Sequence, residues 1–237
     1  MIVAHRGASS DAPENTIEAF ELAWRQGADA IEGDFHSTAD GRVVCVHDAK
    51  VKTVAGDRLV VADSTLEELR AARPDLPTLE QVLATVPSGK SIYIEIKCGP
   101  EILPALREAL RASDLNASQI SVISFNERVI ERLKKVDPTL TANWLIKFKR
   151  NRQGKVAPSQ SAVLETLDRI GANGLGAGQA HLSERFVGEA RKRGFNLHVW
   201  TVDDPKAAER FLGWGARSIT TNVPGEMKSA LAQRGWL

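Results

Sequence analysis

The sequence predicts a TIM (β/α)8 barrel, an α/β fold in which eight parallel strands alternate with helices. The chain has 237 residues, a length that fits one such barrel and is also compatible with two small domains. Short β-branched runs alternate with amphipathic stretches, which is the pattern of a parallel sheet. Eight principal strands at this length favour a closed barrel over an open sheet.

Each predicted strand is a short apolar run that is rich in β-branched residues. In chain order the strands cover residues 2–5, 30–35, 43–46, 91–96, 119–123, 139–145, 174–176, 196–201 and 218–221. Residues 43–46 form an extra strand, and the others form the barrel. The sixth barrel strand lies in a glycine-rich run without the spacing of a phosphate-binding loop, so its small residues are interpreted as barrel wall.

Each predicted helix is an amphipathic stretch that follows a strand or lies in the insertion described below. The helices cover residues 15–26, 65–72, 79–85, 101–112, 127–136, 161–170, 183–193, 205–212 and 224–234. Asn15 can cap the first helix, with Glu18 three residues later as in a capping box. Thr78 and Asp204 are plausible starts for two later helices.

The chain is predicted to form one domain over residues 1–237, with an insertion at about 48–89. Residues 49–64 lie between the second and third barrel strands and have too little apolar periodicity for a domain of their own. Residues 224–237 are interpreted as the last barrel helix. The alternative for this segment is contact with a partner subunit in a homo-oligomer.

Composition excludes several classes of function. The net charge is +1, so no bulk electrostatic field attracts the chain to nucleic acid or to a membrane surface. No apolar stretch is long enough for stable membrane insertion. The first residues resemble a strand rather than a signal peptide, and Cys45 and Cys98 form no metal motif or disulfide framework. A cytoplasmic location is therefore expected.

Three acidic residues occupy strand positions that should be apolar. Glu32 and Asp34 alternate along the second strand and share one face, and Glu95 interrupts the third. Burying converging carboxylates is costly unless a cation offsets their charge. Oxygen ligands suit Mg²⁺ or Ca²⁺ better than zinc, and the sequence does not distinguish these two ions. A solvated edge strand, or an ion pair with Lys97, is the alternative, and a closed barrel disfavours an edge.

Two histidines are candidates for proton transfer. His5 and His47 each follow a strand and precede a polar residue. Imidazole titrates near neutrality, so one ring can activate a nucleophile while the other protonates a leaving group. Arg6 and Lys97 would supply fixed positive charge to an anion. Together these groups indicate phosphate ester chemistry.

One basic loop follows the fifth strand and would lie on the active-site face of the barrel. It covers residues 147–155 and contains Lys147, Lys149, Arg150, Arg152 and Lys155. A solvated flexible loop is the simpler interpretation. The alternative is an electrostatic collar that attracts anionic substrates.

The motifs of the chain resemble those of the glycerophosphodiester phosphodiesterase family, in the same order. The matching stretches are His5-Arg6-Gly7, Pro13-Glu14-Asn15-Thr16, Ile31-Glu32-Gly33-Asp34, His47-Asp48, Ile94-Glu95-Ile96-Lys97, Ser124-Phe125, Val199-Trp200-Thr201-Val202 and Thr221-Asn222-Val223-Pro224. Three features depart from the pattern: Gly33 replaces a larger apolar residue, Asn222 replaces a frequent aspartate, and residues 49–54 blur a usual motif.

The resemblance implies a TIM barrel with a small insertion after the second strand. It also implies that the ligands of one divalent cation are Glu32, Asp34 and Glu95, and that the general acid and base are His5 and His47. It implies that the groups that bind the substrate are Arg6, Lys97, Glu14, Asn15, Phe125 and Trp200. The implied reaction is metal-dependent hydrolysis of a small-molecule glycerophosphodiester to sn-glycerol 3-phosphate and an alcohol, as in bacterial cytoplasmic members.

Two other functions stay open at this point. A phospholipase-like relative would cleave lysophospholipids or phosphoinositides. A non-catalytic barrel would bind phosphodiesters without turning them over, although it would not need two proton carriers. The attacking group, water or the glycerol 2-hydroxyl, is also open, as is which histidine is the acid.

Overall fold

The structure is a computed structural model that describes residues 1–53 and 56–236. Residues 54 and 55, within the predicted insertion, and residue 237, at the end of the predicted last helix segment, lie outside the described residues. The strands in chain order are β1 Ile2–His5, β2 Ala30–Ser37, β3 Val43–Cys45, β4 Lys50–Lys52, β5 Arg58–Val60, β6 Ser91–Ile96, β7 Ile120–Ser124, β8 Thr141–Ile146, β9 Lys149–Arg150, β10 Val156–Ala157, β11 Gly174–Gly178, β12 Asn196–Trp200 and β13 Ser218–Thr221.

The main sheet closes on itself. Its strand order is β1-β13-β12-β11-β8-β7-β6-β2-β3, and β1 also pairs with β2. Every pairing within the ring is parallel, whereas β3 runs antiparallel to β2 outside it. The prediction of a closed barrel of eight parallel strands with one extra strand is confirmed, and the extra strand, Val43–Cys45, is one residue shorter than predicted.

Helices surround the barrel. They are α1 Ile17–Arg25, α2 Leu66–Ala72, α3 Leu79–Leu83, α4 Leu103–Ala112, α5 Glu127–Val136, α6 Gln160–Ile170, α7 Glu184–Lys192, α8 Pro205–Trp214 and α9 Pro224–Gln233. Phe20, Phe186 and Phe211 are fully buried where their helices meet the strands. Burial stabilises the fold by about 1.5–3 kcal/mol for each such ring. None of the described helices has the length and apolar character needed to cross a membrane.

The first helix begins later than predicted, and Asn15 does not cap it. The cap is Thr16, whose hydroxyl accepts a hydrogen bond from the Ala19 N–H at 3.2 Å. Asn15 has a φ of 57°, outside the helical region, and its side chain bonds to Asp34 on β2. The capping-box prediction was wrong because a long-range partner engages the Asn15 amide.

The segment between β2 and β6 contains a small subcluster. The β4–β5 hairpin and α2 bury an apolar group of their own, formed by Val44, Val46, Val51, Val61, Leu69 and Leu76. Helix α3 instead packs against α1 and α4 in the ring around the barrel. The region therefore places β4, β5 and α2 beside the carboxyl end of β2.

Alternation along the strands divides polar from apolar positions inside the barrel. The interior holds an apolar group that contains Val3, Ala30, Tyr93, Ile123 and Leu145, of which Ala30 and Tyr93 lie on β2 and β6. Two residues further along β2 and β6 the inward positions become Glu32 and Glu95. The polar inward residues therefore collect at the carboxyl rim, where barrel enzymes carry their active sites.

Candidate active site

Three carboxylates meet at the carboxyl end of β2 and β6. Glu32 and Asp34 are successive inward residues of β2, and Asp34 is paired in register with Glu95. One oxygen of each lies within 4.8 Å of the others, and all three residues are buried. Like charges this close repel strongly when water is excluded, so the cluster requires compensation by positive charge.

Asp34 is the carboxylate that the protein compensates best. Its side chain accepts a hydrogen bond from Asn15 Nδ2 at 2.9 Å, and Arg6 Nε and Lys97 Nζ lie 3.0 and 3.3 Å from its oxygens. Burial by itself raises the pKa of Asp34, but the charges of Lys97 and Arg6 and the Asn15 bond outweigh it and lower the pKa. Asp34 is therefore a stable anion.

Glu32 and Glu95 are less well compensated. Burial and the neighbouring carboxylates raise the pKa of Glu32 well above its usual value. Burial and Asp34 also raise the pKa of Glu95, although Lys97 lies 2.7 Å from its Oε1. Glu32 Oε2 accepts the Arg6 backbone N–H at 2.9 Å, but the buried Oε1 has no hydrogen-bond partner among the described residues. The orphaned oxygen and hard oxygen donors fit a divalent cation.

The loop after β1 holds Arg6 against this cluster. Arg6 and Asn15 both have left-handed backbones, with φ values of 56° and 57°, and the Asn15 N–H donates to the Arg6 carbonyl at 3.0 Å. Gly7 has a φ of 85°, and a Cβ there would lie 2.6 Å from the Ala19 carbonyl carbon. Only glycine fits this approach, so Gly7 lets the loop pack directly on α1.

A polar chain fixes the orientation of His5. The Asp203 carboxylate accepts a hydrogen bond from Asn222 Nδ2 at 2.7 Å, so the amide presents its oxygen to His5 Nδ1, also at 2.7 Å. An amide oxygen only accepts, so Nδ1 carries the proton and Nε2 of the neutral ring keeps its lone pair. Burial lowers the pKa of His5, which favours this neutral form.

His47 faces the same cleft from the segment after β3. Its Nδ1 lies 2.8 Å from an oxygen of the exposed Asp48 carboxylate. The His47 carbonyl lies 3.2 Å from His36 Nε2, which ties the segment back to β2. The two candidate imidazoles therefore have different partners: an amide for His5 and a carboxylate for His47.

The cleft between these groups has an aromatic wall. Phe125 and Trp200 pack edge to face, with centroids 5.5 Å apart and planes at 89°. Phe125 is 42% exposed, and the indole N–H of Trp200 has no acceptor among the described residues. The cleft is lined by His5, Arg6, Glu32, His47, Glu95, Lys97, Ile123, Phe125, Leu145, Lys147, Trp200 and Thr220.

Most residues singled out in the sequence meet here, and three lie beside the cleft rather than in its lining. Asp34 is 1% exposed beneath the other carboxylates, and Asn15 is buried behind it. Glu14 binds Arg6 through both carboxylate oxygens at 2.9 Å. Glu14 and Asn15 therefore hold Arg6 and Asp34 in place in this structure.

Sequence reasoning missed two features of the cleft. Lys147 was grouped with the basic loop, although it continues the inward alternation of Asn143 and Leu145 along β8. That period of two was the available signal. The bond of Asn222 to Asp203 had no signal, because it joins two loops that only the fold brings together.

An eight-stranded barrel with acids, imidazoles and cations at its carboxyl rim defines a TIM-barrel hydrolase. The chain belongs to the glycerophosphoryl diester phosphodiesterase family, because the model of that family matches residues 5–226. The predicted family is thereby confirmed. A glycerophosphodiester phosphodiesterase of Caldanaerobacter subterraneus is 31% identical over 99% of both chains.

Solved structures share the fold. A putative glycerophosphoryl diester phosphodiesterase from Silicibacter pomeroyi superposes with a TM-score of 0.85 at 21% identity, covering 99% of this chain and 93% of the other. An Oleispira antarctica phosphodiesterase, in complex with the product sn-glycerol-3-phosphate, gives a TM-score of 0.83 at 24% identity, covering 98% and 96%. These likenesses confirm the barrel architecture.

Proposed function

We propose that this protein hydrolyses glycerophosphodiesters to sn-glycerol 3-phosphate and an alcohol, with one divalent cation, Mg²⁺ or Ca²⁺. The observation that carries the proposal is the buried carboxylate cluster with its orphaned Glu32 oxygen, in a cleft that two imidazoles also line. The names of the curated relatives support the activity. In the Oleispira antarctica protein, the bound product is the one expected from this reaction.

Glu32, Asp34 and Glu95 would hold the cation, each through a carboxylate oxygen. A bound divalent cation supplies Lewis-acid polarisation of a phosphoryl oxygen and stabilises negative charge in the transition state. Binding would also offset burial and carboxylate repulsion, which together raise the pKa values of Glu32 and Glu95. Either Mg²⁺ or Ca²⁺ satisfies this oxygen donor set.

Arg6 and Lys97 would orient the phosphate. Both line the cleft, and both lie within ion-pair distance of Asp34, which keeps their charged ends at the carboxylate cluster. Guanidinium and ammonium groups make strong charge-assisted hydrogen bonds to phosphate oxygens. Their fixed positions would hold the phosphodiester between the two imidazoles.

His5 would act as the general base and His47 as the general acid. The Asn222 amide leaves the Nε2 lone pair of neutral His5 free to accept a proton from the nucleophile, which is water or the glycerol 2-hydroxyl. His47 would then donate a proton to the departing alkoxide, with Asp48 as hydrogen-bond partner of its other nitrogen. Opposite roles for two differently partnered rings fit a displacement at phosphorus.

A panel of phosphodiesters assayed with and without chelator tests the proposal. The panel contains glycerophosphocholine, glycerophosphoethanolamine, glycerophosphoglycerol and lysophosphatidylcholine. We expect release of sn-glycerol 3-phosphate from the glycerophosphodiesters, its loss with chelator, and its return with Mg²⁺ or Ca²⁺. Undiminished turnover in chelator would remove the cation, and binding without turnover would favour the non-catalytic barrel. Faster cleavage of the lysophospholipid would favour the phospholipase alternative.

The sequence-based predictions of location and assembly belong to the same proposal. We infer that the protein acts in the cytoplasm, as one domain over residues 1–237, with a homo-oligomer as the alternative to a monomer. Cell fractionation, limited proteolysis and light scattering test these three statements in turn.

A further inference from the structure

Lys147 occupies an unusual position at the mouth of the cleft. It follows β8 directly, and its side chain continues the inward series of that strand. Its ammonium nitrogen lies 5.0 Å from the ring centroid of Trp200 and 5.9 Å from that of Phe125. Both distances are within the range of cation–π attraction.

The rings of Phe125 and Trp200 form a surface of the kind that binds organic cations. The ammonium group of Lys147 already lies against this surface. Perpendicular aromatic rings that share one positive group are the usual recognition element for ammonium ligands. A Cβ built on Gly178 would lie 3.6 Å from Lys147 Cγ and 3.8 Å from the Trp200 ring. The lysine stem and the indole therefore both lie beside Gly178 of β11.

The charge of Lys147 is not neutralised by the surrounding protein. Within the described residues it makes no ion pair and no hydrogen bond, whereas Lys97, 6.0 Å from the same Phe125 ring, is paired with Glu95 and Asp34. The loop that continues from Lys147 adds the exposed Lys149, Arg150 and Arg152. This side of the mouth is therefore positive, and no carboxylate of the described residues forms an ion pair with these four cations.

We propose that Lys147 makes the enzyme select glycerophosphodiesters whose alcohol carries a negative charge and reject those with an ammonium headgroup. An ammonium headgroup would compete with Lys147 for the rings and would be repelled by it. An anionic headgroup, such as one with a further phosphate, would be attracted and would accept hydrogen bonds from the ammonium. The inference rests on the proposed function and names its substrate class.

Three substrates of graded headgroup charge test the inference. They are glycerophosphocholine, glycerophosphoglycerol and glycerophosphoinositol 4-phosphate, each assayed for kcat/KM at low and high salt. We expect the anionic substrate to exceed the cationic one by about tenfold or more, since 1.4 kcal/mol of differential binding corresponds to tenfold. The neutral substrate should lie between them.

Substitutions distinguish a specific effect of Lys147 from the general electrostatic effect of the basic loop. Lys147→Met keeps the stem and removes the charge, and the anionic-to-cationic ratio should fall about tenfold. Lys147→Arg keeps the cation and should keep the ratio. Lys149→Met removes the same charge from the same loop, with no ring within cation–π distance among the described residues. At high salt it should change the ratio by less than about twofold.

Two results would overturn the inference while leaving the proposed function intact. One is a wild-type preference for glycerophosphocholine, and the other is a ratio in Lys147→Met that stays within twofold of the wild type while Lys147→Arg is active. Absence of turnover for all three substrates in the presence of Mg²⁺ and of Ca²⁺ would instead overturn the proposed function, and the inference with it.

Discussion

At the scale of single residues, the candidate site contains buried groups and backbone conformations that lower the stability of the fold. Glu32 is fully buried with one orphaned oxygen, and Arg6 and Asn15 have left-handed backbones. Such features cost stability and persist where the surrounding structure enforces them. Their concentration at one rim is typical of a functional site rather than of a structural core.

Glu32→Gln should stabilise the metal-free protein and weaken its stabilisation by metal. Burial raises the pKa of Glu32, so its contribution to stability is present below pH 4.5, the unfolded value, and is lost as pH rises through the folded value. At neutral pH the amide should therefore gain about 1–3 kcal/mol over the carboxylate in chelator. Chemical denaturation with and without chelator measures this difference.

Bound metal should raise the stability of the wild type, because the cation needs the charge of the Glu32 carboxylate. At a hundredfold excess over Kd, Mg²⁺ or Ca²⁺ should add about 2.7 kcal/mol to wild-type stability and much less to Glu32→Gln. Glu165→Gln, an exposed carboxylate on α6, is the matched control and should keep the full response. Equal stabilisation of all three proteins would remove Glu32 from the ligand set.

The acidic limb of the pH profile should reflect His5. Burial lowers the pKa of His5 below 6.5, so the neutral base persists at pH 6.5 and is lost only at lower pH. We expect kcat/KM to keep more than half of its maximum at pH 6.5 and to fall further at lower pH. A limb centred above pH 6.5 would contradict His5 as the base.

Asn222→Ala tests whether the Asn222 amide orients His5 and fixes its tautomer. Without the amide oxygen, Nδ1 loses its acceptor and the ring can adopt either tautomer, so kcat should fall about tenfold or more with little change in KM. Ser9 also donates to Asn222 Oδ1, at 3.1 Å, but does not touch His5 through a hydrogen bond. Ser9→Ala is thus the control and should retain most of kcat; similar losses in both variants would argue for a loop effect.

At the scale of elements, β2 and α1 pack closely because Gly33 on β2 has no side chain where Phe20 of α1 approaches it. A Cβ on Gly33 would lie 3.1 Å from Phe20 Cζ and 3.2 Å from Cys45 Sγ. The Phe20 ring and the Cys45 thiol thus fill the space that a side chain at position 33 would take. The outward face of β2 is close-packed while its inward face carries the carboxylates.

Gly33→Val should destabilise the fold by about 1–3 kcal/mol, because added methyl groups overpack the contact with Phe20. Adding Phe20→Leu should recover part of that loss, since the smaller side chain frees the space. Urea unfolding of the two single variants and the double variant gives the coupling energy. Additive effects would show that Phe20 does not fill this space.

Comparison of predicted and observed strands shows which parts of the fold the sequence predicts. β1, β6 and β13 were predicted residue for residue, because β-branched runs between turn residues admit one interpretation. β11 is two residues longer than predicted, since Ala177 and Gly178 lack strand propensity and are held by pairing with β12. The carboxylate cluster and the inward position of Lys147 were predictable from alternation, whereas the contacts of Asn15 and Asn222 depend on tertiary neighbours.

At the scale of the whole molecule, the field around the cleft is local. The net charge is only +1, yet Lys147 and the exposed residues of the β9–β10 hairpin add positive charge on one side of the mouth. Arg150 Nη1 also donates to the Gly154 carbonyl at 2.8 Å, which braces the hairpin. A focused field of this kind affects association with anions rather than the chemical step.

Replacing Lys149, Arg150 and Arg152 together by alanine should raise KM at low salt, with a smaller effect at high salt and little effect on kcat. The control triple variant Arg111→Ala, Lys135→Ala and Lys192→Ala removes the same charge from the ends of α4, α5 and α7, at the amino end of the barrel. An unchanged KM at both salt concentrations would contradict the collar.

The link from Asp203 through Asn222 to His5 joins the two ends of the sequence across 217 positions. A polypeptide emerging from the ribosome therefore carries its carboxylates and Arg6 long before His5 receives its partner. Full activity would be reached only when synthesis passes Asn222 and the last strand closes the barrel.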